Sequence, residues 1–396
     1  MIKRIGVAVG ACGLVGALAL GASATGMFDF GLFVQHQLAR RSSSVFGVSG
    51  TLKHSSQASI SEQEAQSDPA RLAEVADSLQ IDVVTAGRAG ASIDMMALWP
   101  NDRNPRWLLA CNEEDPTQPG VQRINISTGA VATIVTGTDS CDGVRRTPWH
   151  TFMFSEEAGR GPEGGRVYEL IDPLHTTDVT LNRDTGQFSG GQGAENLVVR
   201  PALGRLSYEG FALYRNGVMY YGDEKRPFEG EQGGSYFKFV PSSPYSPSDG
   251  PISSLDESPW TEGSVYGLRL GIYEEPDYGQ GTQQGFGEWI PVCDGEGCAD
   301  ADLTTLAVEQ SATGYYRPED IDIDRAAEHD GRVRFCGNDT GNEDGDQYYG
   351  ETICITDGTL GQATANEAIP EAQLLVVGNP ELAMPDNIAY QPHRGN

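Results

Sequence analysis

Acidic residues recur in this chain at the ends of short strand-like runs, and that recurrence limits what it can fold into. In order they are Ser155-Glu156-Glu157, Tyr208-Glu209-Gly210, Gly222-Asp223-Glu224, Arg317-Pro318-Glu319-Asp320 and Pro385-Asp386-Asn387. They spread over more than half of the sequence, and each follows or opens a short alternating run. A closed all-β fold collects oxygen ligands from such separated segments into one central site. Several carboxylates in one place repel one another, and metal ions relieve the repulsion while leaving the groups charged.

The rest of the sequence supplies the turns such a fold needs. Fifty glycines and 22 prolines punctuate the chain, and long helical patterns are few. From residue 80 onward strands dominate, with clear runs at 107–110, 131–135, 166–171, 217–221, 235–240, 265–270, 332–336, 352–355 and 374–377. Roughly 300 residues of strand-rich chain is large for one sandwich and suits a β-propeller of about six blades. The expected class is therefore all-β, a six-bladed propeller over residues 80–396 with a short helical N-terminal arm.

The formal net charge of -29 excludes a nucleic-acid backbone as partner, because that contact needs a basic face. An anionic substrate would also be repelled unless metals reversed the local field. A solvated acidic surface accounts for much of the charge.

Residues 1–24 read as an export signal. Lys3 and Arg4 precede an uncharged, mostly apolar run from Ile5 to Leu20, and Ala22-Ser23-Ala24 fits the small-residue cleavage pattern. The mature chain would begin near Thr25 and lie in the periplasm or outside the cell. Uncleaved, the same stretch would anchor the protein facing outward. Val9-Gly10-Ala11-Cys12 is a weak lipoprotein box, and no pair of arginines stands in the charged region ahead of the apolar run. Residues 25–79 form an arm and linker. Phe30, Phe33, Val34 and Leu38 fall at helical spacing, residues 51–67 read as loose linker, and a helix is expected from Ser67-Asp68-Pro69 through Leu79. A hairpin strand is expected beyond Asn396, so the sequence reads as C-terminally truncated.

Six cysteines follow the signal, an even count that invites disulfides in an exported chain. Cys293 and Cys298 flank a short Asp-Gly-Glu-Gly segment that a bridge would close into a small loop, and Cys336 and Cys354 lie in two runs that look like paired strands, but the connectivity does not follow from sequence. Cys111 and Cys141 form a third bridge, or one of them is a metal ligand. Asn338 to Asp346 is an acidic loop without the spacing of an EF-hand, read as a solvated turn. No Gly-x-Ser-x-Gly elbow, His-Glu-x-x-His pair or nucleotide-binding loop is present.

Taken together these blocks resemble the PhoX-type alkaline phosphatases, from about Trp99 to the end. Ser140-Cys141-Asp142-Gly143, Thr147-Pro148-Trp149 and Ser155-Glu156-Glu157 resemble the family's Cys-Gly-Gly, Thr-Pro-Trp-Gly-Thr and Glu-Glu block. Gly204 to Gly210 resembles its Gly-Arg…His-Glu-Gly block. Tyr221 to Glu224, Tyr316 to Asp320 and Met384 to Asn387 match the remaining blocks. The chain departs in three places. One residue is added before Thr147, where Arg145 and Arg146 lie, His150 replaces the glycine after Trp149, and Tyr208 stands where histidine is common.

The resemblance implies a central site holding iron and calcium. Cys141, Glu157, Glu209 and Glu319 would serve iron. Asp223, Glu224, Asp320 and Asp386 would serve calcium or support the ligands. Glu209, Glu319 and Arg317 would carry catalysis on a small phosphate ester, with Arg317 and Arg205 holding a phosphate oxygen or else pairing with the acids. A monomer is expected. Two other readings stand beside this exported phosphomonoesterase: a calcium-binding propeller without turnover, and a calcium-dependent lactonase, since Pro385-Asp386-Asn387 is similar to that group as well.

Overall fold

The computed structural model describes residues 59–76, 79–159, 161–227, 231–271, 283–342, 349–380 and 382–390. The expected signal peptide, the Phe30 stripe, residues 343–346 of the acidic loop and the closing residues 391–396 lie outside the described residues. Contacts divide the chain into a unit ending at Val83 and a unit spanning Val84–Gly395.

The first unit corrects the helix expected from Ser67. Helix α1 runs Glu62–Ser67, and only a single 3-10 turn, Pro69–Leu72, follows it. Ser61 begins the helix through a capping box: its hydroxyl accepts from the Glu64 amide at 3.3 Å, and Glu64 Oε2 accepts from the Ser61 amide at 3.1 Å. That satisfies two amides that an uncapped helix leaves bare. Pro69 lacks the amide needed to continue α1, so the helix ends before it. Leu72, Val75 and Leu79 are exposed.

In the second unit the described strands are β1 (Ile93–Trp99), β2 (Trp107–Asn112), β3 (Pro119–Asn125), β4 (Val131–Thr136), β5 (Cys141–Arg146), β6 (Phe152–Glu156), β7 (Val167–Leu170), β8 (Val179–Asn182), β9 (Gln187–Ser189) and β10 (Leu197–Val199). They continue as β11 (Tyr208–Leu213), β12 (Met219–Asp223), β13 (Tyr236–Pro241), β14 (Gly263–Leu270), β15 (Gly285–Asp294), β16 (Pro318–Ile323), β17 (Arg332–Asp339), β18 (Glu351–Thr359) and β19 (Glu371–Val377). Short helices α2 (Leu303–Glu309), α3 (Arg325–His329) and α4 (Leu360–Ala365) lie between them. None of the described helices is long and apolar enough to cross a membrane.

The fold is mostly β-sheet. Three sheets run in the orders β1-β2-β3-β4-β8-β9, β10-β7-β6-β5, and β11-β12-β13-β14-β15-β19-β18-β17-β16. Neighbours are antiparallel except for the parallel pair β4 and β8. The largest sheet is two antiparallel ladders joined at a seam where Gly285 and Phe286 of β15 meet Ala372 and Glu371 of β19. Each of the four meanders therefore opens on one strand: β1, β5, β11 or β16. These four pack side by side, β1 on β5, β5 on β11 and β11 on β16.

Aromatic side chains fill the space between sheets. Trp149 meets Trp260 edge-on at 4.6 Å between ring centres, and Phe335 lies 4.6 Å from Tyr220. Each such ring stabilises the fold by about 1.5–3 kcal/mol through burial. Trp149, from the Thr-Pro-Trp motif, is fully buried and donates from Nε1 to Glu169 at 2.6 Å, so it is a core residue. Disulfides join Cys111 to Cys141, Cys293 to Cys298 and Cys336 to Cys354.

Candidate active site

The four opening strands carry the same local device at their first residues. The pairing register shifts between Ile93 and Met96, between Cys141 and Val144, between Tyr208 and Phe211, and between Pro318 and Ile321. An acid sits inside each shift: Asp94, Asp142, Glu209, and Glu319 with Asp320. A β-bulge inserts a residue without a partner and re-aims its side chain. Four bulges at equivalent positions on adjacent strands thus bring these acids together near the opening ends of the strands, with Asp320 turned to Arg145.

Close backbone approach keeps those acids together. A Cβ on Gly143 would overlap the Glu209 carbonyl, and one on Gly210 would overlap Asp320 and the Ile321 amide. Glycine after the acid therefore lets β5, β11 and β16 lie against one another.

Asp142, Glu157 and Glu209 each offer an oxygen within 4.8 Å of the other two. Burial pushes the Glu157 carboxyl up to about 10, with Glu224 and Asp142 adding repulsion. Burial also holds Asp142 and Glu209 well above the usual carboxylate range. Glu319 is raised to about 7 by burial, opposed by a hydrogen bond from Thr340 and the charge of Arg317. Asp142 Oδ1 is buried with no hydrogen-bond partner. A cluster of this kind, with an orphaned acceptor and several carboxyls that resist ionising alone, has the donor chemistry of a hard cation site.

The structure distributes the other candidates around this cluster. Arg317 donates to Glu224, and its Nη2 lies 3.2 Å from Glu319 Oε1, in ion-pair range without hydrogen-bond alignment. Asp223 is buried, accepts from the Thr304 hydroxyl at 2.8 Å, and is raised to about 7 by desolvation. Asp320 takes an ion pair from Arg145 at 3.1 Å and accepts from the Ile388 amide at 3.2 Å. Asp386 is exposed, and its carbonyl accepts from Asn338 at 2.7 Å. Arg205 turns away to Asp300 and the carbonyls of Pro162 and Gly164.

Cys141 is a correction. Its sulfur is bonded to Cys111, so it carries no thiolate and the structure does not offer it as an iron ligand. The reading of Asn338 to Asp346 as a solvated turn is also corrected at its start. Asn338 and Asp339 belong to β17 and are buried, and Asp339 accepts from the Tyr236 hydroxyl at 3.1 Å. Burial and the facing Glu351 hold Asp339 well above the usual range.

Sequence reasoning missed Asp142 as a site residue, along with Asp94, Asp339 and Glu351. The available signal was the repeated pattern of an acid one residue into a run: Ile93-Asp94-Met95-Met96, Cys141-Asp142-Gly143-Val144, Tyr208-Glu209-Gly210-Phe211 and Pro318-Glu319-Asp320-Ile321. A cavity of about 270 Å³ opens beside the cluster, lined by Glu157, Asp223, Glu224, Lys225, Arg226 and Thr304 among others.

Among solved structures, Pseudomonas fluorescens PhoX in complex with vanadate, a transition state analogue, is similar over 77% of this chain and 73% of its own, with a TM-score of 0.51 and 15% identity. An aldose sugar dehydrogenase from Streptomyces coelicolor in its PQQ-bound form covers 75% of this chain and 84% of its own at a TM-score of 0.28 and 14% identity, too distant a likeness to carry an argument. No curated protein matches. Residues 113–393, well over half of the sequence and every acid of the cluster except Asp94, match the family described as Alkaline phosphatase PhoX, and the chain belongs to that family.

Proposed function

We propose that this protein is an exported, metal-dependent phosphomonoesterase whose reaction takes place at the cluster of Asp142, Glu157, Glu209 and Glu319. The observation that carries the reading is the convergence of three buried or half-buried carboxyl oxygens within 4.8 Å, beside a cavity that also presents Lys225 and Arg226. Six blades, of which the four meanders are part, remain the architecture we propose. A bound cation at these oxygens would neutralise the acids and stabilise charge on a phosphoryl group.

The chain's own residues set the remaining conditions. Lys225 and Arg226 supply positive charge on the cavity wall, whose other charged groups are the acids Glu157, Asp223 and Glu224. Arg317 holds Glu224 and stands beside Glu319, so it positions two carboxylates and reaches a phosphate oxygen only by releasing one. Asp223, held by Thr304, Asp320, held by Arg145, and the exposed Asp386 would support calcium around this cluster. With Cys141 in a disulfide the donors are all oxygen, which suits calcium; iron would be held by carboxylates alone. That same donor set favours the calcium-binding protein without turnover as the second reading.

The test is hydrolysis of a panel of phosphomonoesters by purified protein loaded with calcium, with iron, and with both, alongside metal analysis. Turnover that disappears in Glu209→Gln, with the fold retained, supports the enzyme. Calcium bound stoichiometrically with no turnover under any loading leaves the binding protein as the better account.

A further inference from the structure

The charge reverses at the other end of the opening strands. All four begin at the acidic cluster and run the same way, as their far contacts show. Arg145 donates to the Phe211 carbonyl at 2.8 Å and the Ile321 carbonyl at 2.7 Å, and Arg146 donates to the Leu98 carbonyl at 2.7 Å. Leu213 is four residue steps along β11 from Glu209, a rise of about 13 Å. At this far end lies a cavity of about 630 Å³ with Arg145, Arg146, Arg215, Arg325 and His150 in its wall. Among the described residues its only acids are Asp102 and Glu328. The whole chain has 56 acidic residues to 27 lysines and arginines, so a wall with four arginines to two acids runs against the composition.

Partners decide which of these charges are open to a ligand. Arg145 is committed to three carbonyls and Asp320 and forms part of the floor. Arg146 shares the exposed Asp102 at 2.9 Å, and Arg325 shares Glu328 at 3.0 Å. Arg215 is exposed, and neither its guanidinium nor the His150 ring has a hydrogen-bond or ion-pair partner among the described residues.

His150 adds an independent observation. Its φ is 66°, in the left-handed region that glycine enters freely and other residues enter at a cost of about 1–3 kcal/mol. Its amide closes a turn on the Thr147 carbonyl at 3.1 Å, so the backbone would be served as well by glycine. The strained histidine places a ring in the cavity wall beside the arginines that glycine would leave bare.

We propose that this cavity binds the phosphate group of a small molecule at a site separate from the acidic cluster. Arg215 and His150 would contact it directly, and Arg146 and Arg325 would lend charge. Several guanidinium groups exceed what one carboxylate needs and suit a doubly charged tetrahedral anion. The volume exceeds that of a bare ion, and Phe211, Leu213 and Pro148 give an organic portion an apolar wall.

The test is calorimetric titration with inorganic phosphate and with phenylphosphonate, a phosphate-ester mimic that is not hydrolysed. Wild type, Glu209→Gln, Arg215→Gln and His150→Gly are compared, with circular dichroism to confirm folding. A binding step that survives Glu209→Gln and weakens about tenfold in Arg215→Gln supports the site. His150→Gly should weaken the same step while raising the melting temperature. Tighter binding of phenylphosphonate assigns the cavity to an organic phosphate, and equal or weaker binding assigns it to the free ion. If neither probe binds Glu209→Gln, or if Arg215→Gln and His150→Gly leave that step unchanged, the proposal is wrong.

Discussion

Asp142 and Glu209 face one another inside the protein, 1% and 7% exposed, on adjacent strands bulged at the same position. Neither carboxyl ionises readily beside the other, so each gains from a shared cation. Asp142→Asn and Glu209→Gln should each lower metal affinity by about 10–100-fold and abolish turnover while leaving circular dichroism intact. Glu367→Gln, exposed and outside the site, should change neither. Metal content after gel filtration, compared with phosphatase rate, checks this.

The metal-free protein should lose stability as pH rises. Glu319 and Asp223 are raised to about 7 and Glu157 to about 10 in the folded chain. The unfolded chain releases the same protons near pH 4. Above that pH the folded state binds more protons, so unfolding becomes easier, by up to about 1.4 kcal/mol per pH unit for each retained proton. The contribution is complete below pH 4, declines from there, and is lost beyond pH 7 for Glu319 and Asp223 and beyond 10 for Glu157. Denaturant midpoints of chelator-treated protein at pH 5, 7 and 9 should decrease in that order, and calcium should flatten the trend. A midpoint that rises with pH contradicts the assignment.

The Cys111–Cys141 disulfide closes a loop with a sequence separation of 30. Removing it should cost roughly 3–4 kcal/mol through the unfolded chain. Cys111→Ser and Cys141→Ser should therefore destabilise the oxidised protein alike. Were Cys141 a metal ligand instead, only Cys141→Ser would lose metal, and thiol titration of the unfolded chain would count two more free cysteines.

Lys238 and Asp357 form an ion pair at 3.0 Å with both side chains fully buried, and the Tyr220 hydroxyl donates to the same carboxylate at 2.6 Å. Lys238→Met would leave Asp357 uncompensated and should destabilise by about 3–5 kcal/mol. Lys238→Met with Asp357→Leu should recover much of that. Urea melts of the single and double variants check the difference.

Several strands are legible in the sequence as short apolar or β-branched runs. Those at 107–110, 235–240 and 332–336 fall on β2, β13 and β17 and begin within a residue of each, while β2 and β17 run two and three residues further. The strands that build the site are harder to recognise as strands. β11 is buried at all six positions and β6 at all five, so neither shows the alternation of a one-sided strand. Their acids stand out as motifs for the same reason, since a glutamate in a fully buried run is conspicuous.

What the sequence by itself determined is the class of fold, the family and most of the acids near the site, because turn residues, strand runs and acidic motifs are local patterns. Only the tertiary structure decided which acids meet. Asp142 joined Glu157 and Glu209, Cys141 went to Cys111, and Arg205 left for Asp300. A one-residue bulge selects the direction of each side chain, and the packing of four separate opening strands sets their distances. Those two quantities arise between segments far apart in the chain, where no local pattern records them.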